Sequence, residues 1–151
     1  MTLFITPQFQ SSFTQSPKTG EWVIRKFYDW KFSGGTNPVI FGRDEKDARP
    51  NFDNLKHVHV MPSAPADQLK WLQKAKTSNT YDLTSDRFVL YAEYDHQTIQ
   101  SYLLIDYYID ATPGGHAKLS KYYGTVQNQF TWARTVPAGC AVYPSPVKKI
   151  A

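Results

Sequence analysis

Two periods run through this chain. Alternation of apolar and polar positions marks strands, and recurrence every three or four residues marks helices. Residues 3–6 read as a short first strand ended by Pro7, and residues 8–16 as a short, weakly patterned helix. Ser16-Pro17 followed by Glu21 has the form of a helix start, with proline and then an acid in the opening turns. Trp22, Ile24, Phe27, Tyr28 and Trp30 carry the helical pattern to about Phe32, where Gly34-Gly35 would close it. Residues 36–52 show little periodicity and read as a long connection holding a charged run from Arg43 to Arg49.

Residues 55–60 alternate as a strand that ends at Pro62, and residues 66–76 form an amphipathic helix with Leu69, Leu72 and Ala75 expected inward. Residues 77–85 are polar and read as a loop. Residues 86–94 make a strong strand, with Phe88, Leu90 and Ala92 on one face and Arg87, Val89, Tyr91 and Glu93 on the other. Residues 101–109 form the next strand, with Leu103, Ile105, Tyr107 and Ile109 sharing a face. Pro113-Gly114-Gly115 breaks the chain before a helix over residues 116–134, striped by Leu119, Tyr122, Tyr123, Val126, Phe130 and Ala133. Residues 136–151 read as an extended or loose tail. The sum is one α+β domain over residues 1–151, with helices packed on one face of a small antiparallel sheet and the other face partly open.

Length and composition change this picture little. At 151 residues, 41% hydrophobic and 20% charged, the chain is a single folded domain. A net charge of +4 is compatible with RNA, DNA or an acidic protein partner. Its distribution says more: Lys118, Lys121, Arg134, Lys148 and Lys149 lie in the last third, where no acidic residue follows Asp110. Cys140 is the one cysteine, so no internal disulfide forms, which fits a reducing compartment. The start of the chain lacks the pattern of a signal peptide, and no run of about 18 apolar residues exists to span a membrane. A soluble cytoplasmic protein is expected.

The chemistry concentrates in Leu55-Lys56-His57-Val58-His59-Val60. Strand alternation puts His57 and His59 on one face, about 7 Å apart, and Val58 and Val60 on the other, so the imidazoles should face outward. Two imidazoles can divide base and acid roles near neutral pH, or can simply bond to neighbouring carbonyls. A metal site would need a third ligand from His96, His116 or Asp86 at generic spacing, and a structural zinc site lacks its cysteines. Cys140 has nothing nearby to activate it, and no nucleophile elbow or phosphate loop is present.

Metal-independent RNA cleavage fits better and needs no cofactor. The 2′-hydroxyl of RNA attacks its own phosphate, so an enzyme must remove one proton, steady the anionic phosphorus and protonate the leaving oxygen. His57 and His59 suit the proton transfers. Arg43, Arg87, Lys118 and Lys121 suit the charge, and Tyr91 and Tyr108 suit base stacking. Each also has a plainer reading, in ion pairing or packing.

These residues lie within an ordered set: Ile40-Phe41-Gly42-Arg43-Asp44, His57-Val58-His59-Val60, Gln68-Leu69, Ser85-Asp86, Val89-Leu90-Tyr91, Leu103-Leu104-Ile105 and His116-Ala117. In order and spacing over roughly residues 38–134, the chain resembles the YafO family of bacterial type II toxins, within the broad RelE/ParE-like group of mRNA interferases. The resemblance implies a RelE/ParE-like α+β fold, a ribosome-dependent ribonuclease acting on translated mRNA, and a cognate antitoxin. Its pattern carries onto Arg43, Asp44, His57, His59, Ser85, Asp86 and His116, with Arg87 added as a further catalytic candidate and Asp44, Ser85, Tyr91, Tyr108, Lys118 and Lys121 as substrate-binding ones. Either His57 or His59 would be the base, and the other or His116 the acid. Two rival readings stand beside it: a non-enzymatic toxin that inhibits a protein target such as gyrase, and a plain nucleic-acid or protein-binding module.

Overall fold

Prolines and a threonine set the first elements. The computed structural model describes residues 2–32, 39–46, 55–96, 99–109, 121–131 and 134–144. Strand β1 (Thr2–Ile5) ends at Thr6, whose hydroxyl accepts from the Phe9 N–H at 3.1 Å and so caps helix α1 (Pro7–Ser11). The same hydroxyl donates to the Ile105 carbonyl at 2.6 Å, tying the strand end to the sheet. Helix α2 (Pro17–Phe32) buries Gly20, Val23 and Phe27, the spacing of one helical face.

Strands β2 (Phe41–Lys46), β3 (Leu55–Val60), β4 (Arg87–His96) and β5 (Ile99–Ile109) form an antiparallel meander. Strand β1 then lies parallel to β5, and β6 (Ala141–Tyr143) pairs antiparallel with β1, giving the order β2-β3-β4-β5-β1-β6. Helix α3 (Pro65–Thr77) and a 3₁₀ turn (Thr80–Asp82) link β3 to β4, and helix α4 (Lys121–Thr131) lies between β5 and β6.

The two sheet faces carry separate cores. On one, Leu3, Ile5, Val58, Val60, Val89, Tyr91 and Leu104 meet Phe9, Phe13, Val23 and Phe27 from the N-terminal helices. Phe27 sits among aromatic edges, with ring centroids 5.0 Å from Tyr91, 5.7 Å from Tyr102 and 6.0 Å from Phe41. On the other face, Leu55, Leu90, Ala92, Leu103 and Ile105 meet Tyr123, Val126 and Phe130 of α4. The α+β layout with N-terminal helices on one face and a C-terminal helix is therefore as expected, but both faces carry a helix-packed core where one was expected to stay partly open.

Four further expectations change. The long connection contains a strand, β2, because Arg43, Asp44, Glu45 and Lys46 all find cross-strand partners or carbonyls that a charged run does not advertise. The tail contributes β6, whose pairing with β1 shields what would be an open edge. Helix α3 turns Trp71 inward, 4% exposed, and leaves Leu69 and Leu72 outside at 58% and 41%. Trp71 wins the interior because its indole N–H reaches the Val39 carbonyl at 2.6 Å and its ring packs at Gly42. Tyr107 does not share a face with Leu103 and Ile105; it packs on Phe13, across the sheet from them, with ring centroids 4.7 Å apart.

That last change comes from a β-bulge. Leu90 pairs with Asp106 but the next residue, Tyr91, pairs with Leu104, so β5 holds one extra residue. Alternation shifts by one beyond it, sending Tyr107 to the α2 face and Tyr108 to the α4 face. A second irregularity lies in β2, where Phe41 pairs with Val60 and Asp44 with Val58. Phe41 points into the α2-side core, and after the break Asp44 points the same way, so Arg43 and Glu45 face the other side. Gly42 permits the break. A Cβ there would lie 2.6 Å from the Trp71 ring and 2.8 Å from the Leu83 Cβ, and against the Leu83 carbonyl. That carbonyl accepts the Arg43 N–H at 2.8 Å.

Candidate functional site

The two bulges gather a row of side chains on the α4 face, beside the apolar cluster. It runs from Arg43 and Glu45 on β2, through His57 and His59 on β3, to Phe88 on β4 and Tyr108 on β5. Arg43 Nε is 3.9 Å from Glu45 Oε1, and Glu45 Oε2 is 3.6 Å from His57 Nε2. The two imidazole rings are 5.9 Å apart. His59 meets the Phe88 ring edge-on at 4.5 Å, and Phe88 stacks on Tyr108 at 5.0 Å. Arg43 is held further by its Nε donating to the Tyr81 carbonyl at 2.7 Å, with its guanidinium 4.0 Å over the Tyr81 ring.

The histidines do not project into open solvent as alternation suggested. His57 is 6% exposed and His59 7%, because Phe88 lies against both rings and the row is continuous with the α4 core. His59 Nδ1 lies 2.8 Å from the Ser85 N–H nitrogen and 2.9 Å from the Ser85 carbonyl oxygen. A ring with its proton on Nε2 accepts from the first, and a ring protonated at Nδ1, neutral or charged, donates to the second, so either tautomer is held in place. Glu45 sets a carboxylate beside the buried His57 ring. The row therefore contains what acid–base chemistry requires: two imidazoles, a carboxylate and a guanidinium within one chain of contacts.

Other expected residues fall elsewhere. Asp44 and Tyr91 lie on the α2 face, away from the histidines. Tyr91 is fully buried and offers no surface for a base to stack on. Its hydroxyl donates to Asp44 at 2.7 Å, and Lys31 stands 3.8 Å from Asp44 and 3.7 Å over the Trp30 ring. Burial raises the Asp44 carboxyl above its usual range and lowers the Lys31 ammonium, with their mutual attraction opposing both shifts. Burial also raises the Tyr91 phenol well above its usual range. This is a structural network joining α2 to the sheet.

Arg87 also turns to the α2 face, donating to the Tyr107 hydroxyl at 3.1 Å and to Ser63 Oγ at 2.8 Å. Asp86 is exposed just before β4, and the carboxylate that reaches His57 is Glu45. Ser85 acts through its backbone on His59, while its hydroxyl donates to the Val60 carbonyl at 2.6 Å. His116 and Lys118 lie outside the described residues, as does the side chain of Lys121, the first residue of α4.

Glu45, Phe88 and Tyr81 were missed. Glu45 hid in a charged run without periodicity, and Phe88 read as core. Tyr81 stood in a polar segment with no strand or helix pattern to place it. Among the described residues no group of three His, Cys, Asp or Glu side chains is arranged to hold a metal ion, and no helix is long and apolar enough to cross a membrane.

Comparison with known families matches residues 28–133, well over half of the chain, to Toxin YafO, type II toxin-antitoxin system. The chain belongs to the YafO toxin family. No curated protein sequence and no solved structure matches it. The matched span of the toxin starts within α2 and includes β2, β3, β4, β5 and α4, and hence every member of the histidine row. A type II toxin is paired with a cognate antitoxin, so a protein partner comes with the family.

Proposed function

We propose that this toxin is a ribosome-dependent endoribonuclease that cuts translated mRNA in the cytoplasm by metal-independent acid–base chemistry and so inhibits translation. The observation that carries the reading is the convergence of Arg43, Glu45, His57 and His59 on one sheet face. In the proposed reaction one histidine removes the 2′-hydroxyl proton, and the 2′-oxygen attacks the adjacent phosphorus. The second histidine, as imidazolium, gives its proton to the departing 5′-oxygen. His57, paired with Glu45, suits the acid, because a carboxylate favours the charged ring. His59, whose Nδ1–H can donate to the Ser85 carbonyl at 2.9 Å and so leave the Nε2 lone pair free, suits the base through Nε2. Arg43 steadies the anionic phosphorus, and Tyr108 stacks a neighbouring base. Asp86 lies just before β4 and belongs to the rim. His116, Lys118 and Lys121 remain candidates for the acid role and for backbone contacts.

The test is primer extension on a translated mRNA with purified ribosomes. Cleavage by the wild type should fall by about 10²–10⁴ in His57→Ala/His59→Ala, the range for losing general acid–base groups. Unchanged cleavage in that variant refutes the site. Burial of both imidazoles favours one rival, a non-enzymatic toxin in which they only pack. Growth arrest on expression, without any cuts, would establish it.

A further inference from the structure

Arg87 leaves the histidine row and lines something else. Behind the start of β4, on the α2 face, lies a cavity of about 390 Å³ whose lining includes Lys18, Trp22, Ser63, Gln68, Arg87 and Tyr107. Among the described residues its lining holds two cations and no carboxylate. It also holds an indole and a phenol, with serine and glutamine side chains able to donate and accept. Lys18 is exposed in the first turn of α2, Trp22 follows one turn later on the same side, and Arg87 is held in place by Tyr107 and Ser63. This volume lies within the range of pockets that enclose small ligands. An aromatic plane beside two cations suits a base and its phosphate.

The geometry points to a nucleotide subsite for single-stranded RNA in this cavity, with the base on Trp22 and the phosphate between Lys18 and Arg87. Its RNA class rests on the ribonuclease reading. Ser85 joins the two sites: its N–H faces His59 Nδ1, and its hydroxyl accepts the Arg87 N–H at 3.1 Å. A strand passing over this end of the sheet would seat one nucleotide behind β4 and present a nearby phosphate to the histidines. Arg87 is then a substrate-positioning residue and not part of the proton-transfer set.

The test is fluorescence anisotropy of a labelled, single-stranded oligoribonucleotide with the full chain and no ribosomes, competed by a nucleoside 5′-monophosphate and by inorganic phosphate. Trp22→Leu should weaken binding by about 10-fold, the effect of losing one stacked base. Lys18→Ala should weaken it severalfold and lower its salt dependence by about one phosphate contact. Lys18 is exposed, so its variant keeps the fold even if Trp22→Leu does not. The monophosphate should compete better than phosphate alone. Binding unchanged in both variants overturns the subsite. So does binding of an acidic peptide, but not of RNA, at the same residues, which would make the cavity a protein-docking site. If RNA binding depends on these residues but ribosomal cleavage is absent, the subsite stands and the ribonuclease reading falls.

Discussion

Gly42→Ala tests the whole construction of the site, because the β2 bulge turns Arg43 and Glu45 toward the histidines. The added methyl would meet three groups at less than ordinary contact distance: the Leu83 carbonyl, the Trp71 ring at 2.6 Å and the Leu83 Cβ at 2.8 Å. None moves cheaply. Leu83 is 3% exposed and Trp71 4%. The carbonyl is bonded to the Arg43 N–H, and the indole to the Val39 carbonyl. Overpacking of this kind costs about 1–3 kcal/mol, and disturbing the Arg43–Leu83 hydrogen bond adds about 1 kcal/mol. A loss of about 3 kcal/mol is expected. At 2–4 °C per kcal/mol for a chain of this size, Tm should fall by roughly 6–12 °C. Differential scanning calorimetry reads the first effect, and primer extension at a temperature where the variant stays folded reads the second. Ribosomal cleavage should drop even there, because Arg43 shifts with the Leu83 and Tyr81 carbonyls that hold it. A Tm within about 2 °C of wild type, or full cleavage by the folded variant, would refute the claim that Gly42 is required for the bulge and that the bulge builds the site.

Trp71→Ala should cost about 3–5 kcal/mol in urea denaturation, whereas Leu72→Ala should stay within about 0.5 kcal/mol; equal effects would contradict the inward placement of Trp71. Glu45→Gln should slow ribosomal cleavage and narrow its pH range on the acid-requiring limb, with folding unchanged by circular dichroism; an unaltered pH profile would exclude Glu45 as the partner of the acid. Burial raises the Asp106 carboxyl above its usual range, opposed by hydrogen bonds from Tyr123, the Tyr107 N–H and Ser12. Between the unfolded and folded pKa the folded chain therefore binds more protons, so this group's contribution to stability falls as pH rises and is lowest above the folded value. Asp106→Asn should accordingly gain stability relative to wild type as pH rises from about 3 to about 7; a constant offset across denaturation curves in that range would show that the group does not titrate this way.

The helix over Pro17–Phe32, the strand over Leu55–Val60 and the strand face of Phe88, Leu90 and Ala92 were legible because each depends on local period alone. So was the sharing of one face by His57 and His59. The exposed or buried state of those histidines was not, since it depends on which neighbours lie beside β3. Leu69 and Leu72 misled for the same reason: helical period gives a stripe but not which stripe meets the sheet, and the one tryptophan on α3 found a carbonyl acceptor and a glycine gap. The strand β2 was invisible because Phe41–Lys46 carries four consecutive charged residues, whose strand state is fixed by pairing with β3.

Sequence by itself determined an α+β domain, a pair of histidines on one strand face and an ordered set of residues resembling a toxin family. Tertiary structure alone decided what stands beside those histidines. Alternation along a strand has a period of two, so one extra residue reverses every side chain that follows. The bulge after Phe41 brought Arg43 and Glu45 to the histidines and sent Asp44 into the opposite core. The bulge at Ile105 brought Tyr108 and removed Tyr107. A bulge is fixed by what the partner strand and the packed neighbours require, here the Leu83 carbonyl and the Trp71 ring against Gly42, and those neighbours are distant in the chain.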